Sequence, residues 1–156
     1  MKLSLALLPL LLAGAAAAQS NDFVYWPASK LHSFPAALKA QSATKKGGLA
    51  MEQLGNHGNF TFMVARRDQP GQPEVHANWS DIFIAQQGSA ELIYGGRVEG
   101  GHEETPGEGR GGKIVGGKTQ KLGPGDMVVI PAGMPHQTNA AAGGSFTYMI
   151  VKIEKK

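Results

Sequence analysis

Cysteine is missing from all 156 residues of the chain. Its absence excludes disulfides as a source of stability and thiolate as a nucleophile or metal ligand. It also excludes a lipid-bearing cysteine behind a leader segment. Charge of one sign is scarce as well. The formal balance is +3, and cationic residues are scattered apart from the Lys45-Lys46 and Arg66-Arg67 pairs. No basic helix appears, so neither nucleic acid nor a membrane surface is expected as a partner. No serine stands in a strand–turn–helix elbow, which argues against a serine hydrolase.

What is present divides the chain in three. Lys2, the apolar run over 3–12 and the small residues Ala16-Ala17-Ala18 have the form of a cleavable secretory leader, cut after Ala18. A secreted or periplasmic protein is therefore expected. Removing residues 1–18 leaves one domain of ordinary size, long enough to bury a core of its own. Residues 19–48 read as a helical N-terminal segment carrying Phe23, Tyr25, Trp26, Leu31, Phe34 and Leu38. Short helices are expected at 29–32 and 35–41, with Ser33 as N-cap and Pro35 in the first turn, their aromatics covering a barrel edge.

From residue 49 to 156 the hydrophobic period becomes two. Short strands separated by Gly/Pro turns are expected, among them 74–77, 82–87, 90–94, 118–122, 127–130, 137–139 and 146–153. That pattern indicates an all-β antiparallel sandwich or barrel rather than a parallel α/β sheet. The stretch 95–117 stands apart, because ten of its 23 residues are glycine and most of the others are charged. With too little apolar surface to offset its ordering entropy, it is expected to be a long mobile loop, acting as a lid or simply disordered. Shortening residues 100–112 to a turn should then leave stability nearly unchanged.

Two motifs in this region do not carry function. The match of residues 112–119 to a phosphate-binding loop lacks a buried strand before it and a helix after it. The sequons at Asn59 and Asn78 are taken as coincidental.

The constellation with chemical content is split. Its first half reads Glu74-x-His76-x4-Asp81-x6-Gly88, and its second Gly125-x5-Pro131-x-Gly133-x2-His136. Residues two apart in a strand share a face, so Glu74 and His76 project together, and Asp81 re-enters the same interior if the chain bends between them. The second half resembles the second motif of the cupins, with Asn139 one residue earlier than the usual asparagine. The first half matches the first cupin motif in spacing but not in residues: Glu74 and Asp81 stand where that motif has its first histidine and its glutamate, and the leading glycine is missing.

The resemblance covers residues 49–153 and implies a cupin-type β-barrel, a double-stranded β-helix or jelly roll, preceded by short N-terminal helices. It implies a divalent metal held by Glu74, His76, Asp81 and His136. Two carboxylates and two imidazoles suit Mn, Fe or Zn. It further implies a small-molecule ligand or substrate and a homodimer. Phe62, Phe83, Tyr94 and Met149 are the apolar residues expected to line the pocket. An oxygenase, isomerase or lyase is one functional reading; a non-catalytic module for a sugar or other small polar ligand is the other, and a storage barrel a third. Fold alone does not choose among them.

Overall fold

The period-two alternation after residue 49 becomes antiparallel strands in a computed structural model, which describes residues 23–156. The expected leader, 1–18, lies outside the described residues. Three short helices come first: α1 (Ala28–Leu31), α2 (Phe34–Ala37) and α3 (Lys39–Thr44). Strands follow as β1 (Leu49–Asn56), β2 (Phe60–Arg67), β3 (Glu74–His76), β4 (Trp79–Gly88), β5 (Ala90–Tyr94), β6 (Arg97–Glu99) and β7 (His102–Thr105). The remainder are β8 (Glu108–Arg110), β9 (Lys113–Val115), β10 (Lys118–Leu122), β11 (Met127–Ile130), β12 (His136–Ala140) and β13 (Phe146–Glu154).

Two sheets carry the fold, in the orders β1-β2-β13-β4-β11 and β10-β5-β12-β3-β8-β7. Their inner faces meet in one apolar core, with Phe83, Phe146, Tyr148 and Ile150 from the first sheet against Leu92, Leu122 and Ala140 from the second. The outer face of β1 and β2 is covered by the helical segment. Phe34 and Leu38 are fully buried there against Ala50, Leu54 and Val64. Helices of four to six residues do not hold alone, so this packing is what orders them. Each such side chain contributes about 1.5–3 kcal/mol on burial.

A polar clasp completes the attachment. Arg66 donates to the Pro35 carbonyl at 3.2 Å and pairs with Asp68 at 2.9 Å, while the Ser42 hydroxyl donates to Asp68 at 2.5 Å. Ser33 does stand at the N-cap of α2, but its hydroxyl donates back to the Lys30 carbonyl instead of capping the helix. The aromatic cover is also incomplete, since Phe23 and Tyr25 remain exposed while Trp26 and Phe34 join the packed cluster.

The largest departure from expectation concerns 95–117. This segment is not a structureless loop. β6 pairs with β9, β7 pairs with β8, and β8 adds to β3 with Glu74 opposite Arg110 and His76 opposite Glu108. The glycines serve turn geometry: Gly112 has φ 74°, and a Cβ there would lie 2.4 Å from the Glu99 carbonyl oxygen. Pairing along an existing strand supplies the backbone hydrogen bonds that apolar burial alone could not replace. The segment resembling a phosphate-binding loop is β9, a turn and the start of β10, with no helix.

Candidate metal centre

β3 places Glu74 and His76 on its inward face, and the ladder sets His136, the first residue of β12, directly opposite Glu74. The turn before β12 is fastened to this strand, because the Gly133 amide donates to the His76 carbonyl at 2.8 Å. Gly133 has φ 80°, a conformation few other residues adopt, which gives the glycine of the second motif its structural reason. From the facing sheet, β4 contributes Asp81, buried to 3% exposure.

Four side chains thereby converge. The donor atoms of Glu74, His76 and His136 lie within 4.8 Å of one another. Asp81 Oδ2 lies 3.4 Å from His76 Nε2 and 3.6 Å from His136 Nε2. Glu74 Oε2 is 3.5 Å and 4.0 Å from the same two nitrogens. Donors bound at 2.0–2.2 Å around one ion stand about 3–4 Å apart.

Hydrogen bonding fixes how the imidazoles face this point. His136 Nδ1–H donates to the Met134 carbonyl at 3.1 Å, which leaves Nε2 as the lone-pair nitrogen. That Nε2 is buried without any hydrogen-bond partner. His76 Nδ1–H donates to Glu108 at 2.5 Å, again turning Nε2 inward. A carboxylate or carbonyl behind the ring is the arrangement that orients metal-binding histidines. An orphaned buried nitrogen flanked by carboxylates fits a divalent cation.

The carboxylates are themselves held by cations. Arg67 pairs with Glu74 Oε1 at 3.0 Å and Arg110 with Glu74 Oε2 at 2.8 Å. Lys152 pairs with Asp81 Oδ1 at 3.0 Å, and Arg110 also reaches Glu108 at 3.5 Å. Burial alone would raise the Glu74 pKa, but the His76 ring beside it and the charges of Arg110 and Arg67 hold it at about 2. Burial lowers the pKa of His136 and favours the neutral ring that a metal requires. Desolvation would lower the pKa of Arg67, yet Tyr148 and Glu74 raise it, and burial raises that of Tyr148.

Glu74, His76, Asp81 and Glu108, with the cations Arg67, Arg110 and Lys152, line a cavity of about 700 Å³ whose apolar wall includes Leu49, Met51, Met63, Trp79, Phe83 and Ile150. Of the four apolar residues expected to line it, only Phe83 does. Phe62 and Met149 point to the opposite face of their sheet, toward the helices, and Tyr94 borders a separate cleft of about 440 Å³ beside β10 and β11. Reading alternation without its phase produces that error: on β13, Tyr148, Ile150 and Lys152 face inward while Met149 does not. Sequence reasoning also missed Arg67, Glu108, Arg110 and Lys152. A lysine on the inward phase of an apolar strand was a usable signal for Lys152. Glu108 and Arg110 had none, because they lie in the segment read as loop. His102 and His32 are exposed, and His57 stacks half-buried on Phe60.

A model of the AraC-like ligand binding domain matches residues 108–156. No curated protein matches the sequence. Among solved structures, a recombinant oxalate oxidase in complex with glycolate superposes with TM-score 0.52 at 14% identity, covering 72% of this chain and 54% of that one. The present chain thus spans about half of that enzyme's length. The Cnp3 cupin domain of Schizosaccharomyces pombe gives TM-score 0.52 at 10% identity, over 70% of this chain and 67% of that chain. KdgF from Halomonas sp. gives 0.50 at 16% identity, over 72% and 85%. At such identities the likeness concerns the fold.

Proposed function

We propose that this chain, whose fold is similar to that of cupin domains, binds one divalent metal ion in its barrel through Glu74, His76, His136 and Asp81 and acts on a small molecule bound beside it. Mn, Fe or Zn suits two imidazoles with two carboxylates. The observation that carries the reading is the pair of imidazole Nε2 atoms aimed at one point between two carboxylates, one of them without a hydrogen bond in the protein.

Such an ion supplies Lewis acidity toward substrate oxygen atoms. Around it, Glu108 keeps His76 in one tautomer, Arg67 and Arg110 keep Glu74 ionised, and the barrel wall limits water. A small-molecule oxygenase, isomerase or lyase uses these features. The second reading is a non-catalytic ligand-binding module. It is favoured by the match of residues 108–156 to a ligand-binding domain. Removal of a leader at residue 18, a secreted or periplasmic site of action and a homodimer belong to the same proposal.

Metal analysis of purified protein tests it. About one Mn, Fe or Zn per chain is expected in the wild type, with His136→Ala folded but depleted. Folded wild-type protein that cannot be loaded with any of the three would overturn the metal reading.

A further inference from the structure

This inference rests on the metal reading above and concerns what enters with the ion. Three carboxylates face the cavity, Glu74, Asp81 and Glu108, and each already touches a cation: Glu74 two arginines, Asp81 Lys152, and Glu108 Arg110. Lys46 lines the same cavity and is exposed at the chain surface. Four cations therefore offset three anions before any metal arrives. A divalent ion entering this place finds its carboxylates compensated and several positive side chains nearby. Uncompensated charge in a partly desolvated site is unfavourable. An anion arriving with the ion removes that penalty.

The ligand's body is indicated by the wall. The cavity, about 700 Å³, has the size of a small-molecule site, and Met51, Met63, Phe83 and Ile150 give it an apolar side that an inorganic anion would not use. We propose that the cavity takes the divalent ion together with a small organic carboxylate, each strengthening the binding of the other. Linkage makes the effect reciprocal: the factor by which the carboxylate tightens the metal is the factor by which the metal tightens the carboxylate.

Calorimetric titration of the full mature chain tests this with Mn²⁺ alone, with Mn²⁺ in saturating acetate, benzoate or malonate, and with Mn²⁺ in inorganic phosphate. Each arm is corrected for chelation by the anion itself. At least one carboxylate should lower the Mn²⁺ dissociation constant about tenfold or more. Lys46→Met, on the exposed rim, should shrink that gain while leaving Mn²⁺ binding without anion unweakened. Equal Mn²⁺ affinity with and without every carboxylate overturns the proposal and leaves the metal reading standing. Absence of Mn²⁺ binding under all conditions, with Fe²⁺ and Zn²⁺ failing likewise, overturns both. An equal or larger effect of phosphate overturns the assignment of an organic ligand.

Discussion

Replacing Glu108 separates the metal site from the fold that carries it. Its carboxylate receives the His76 Nδ1 proton at 2.5 Å and lies 3.5 Å from Arg110, with its side chain 24% exposed. Partly exposed ion pairs contribute about 0–1 kcal/mol, so Glu108→Ala should move thermal stability little. The ring it orients should respond far more. Loss of a partner behind a metal-binding histidine costs about 10–100-fold in affinity, or roughly 1.4–2.7 kcal/mol. Glu108→Gln keeps an oxygen that can accept from Nδ1 and should fall at the lower end, Glu108→Ala at the upper. Competition against a chromophoric chelator measures affinity, and thermal unfolding of the metal-free protein measures the fold. Affinities equal to wild type in both variants would refute the role given to Glu108. So would a fall in stability as large as the fall in affinity.

Four further outcomes follow from the structure. His136 is held neutral by burial, so the unfolded chain takes up its proton first; stability of the metal-free protein should fall as pH drops below about 6.5, and His136→Gln should flatten that limb in urea titrations. Glu74, held at about 2 when folded against an ordinary 4.5, stabilises fully above 4.5, and its contribution should be lost as pH falls from 4.5 toward 2. Replacing 97–115 by a short turn removes Glu108, Arg110 and the strand paired with β3, so metal affinity should collapse and the melting temperature should drop; an unchanged melting temperature would restore the mobile-loop reading. Phe34→Ala should cost about 3–5 kcal/mol by chemical denaturation while leaving metal affinity near wild type, since the helices lie on the outer face.

The barrel was legible because its strands obey a period of two and its turns carry Gly and Pro. Glu74 and His76 were legible on one face because residues two apart in a strand project together, and the resemblance to the cupin motifs implied that Asp81 and His136 join them. What composition concealed was order without apolar content. Residues 95–117 bury little hydrophobic surface, yet 108–110 pair along β3, and backbone pairing has no side-chain signature in a segment where ten of 23 residues are glycine. Glu108 and Arg110 disappeared with that segment. Arg67 looked like half of a surface pair, but it ends β2 on the inward phase, where Glu74 and the Tyr148 hydroxyl receive it. The phase of β13 decides in the same way that Lys152 reaches Asp81 while Met149 packs under the helices.

Anomalous diffraction from crystals loaded with Mn²⁺ tests the central claim most directly. One peak is predicted within about 2.0–2.3 Å of the Nε2 atoms of both His76 and His136, with oxygen from Glu74 or Asp81 in the same shell. A peak elsewhere, or none at this position in loaded crystals, would contradict the account.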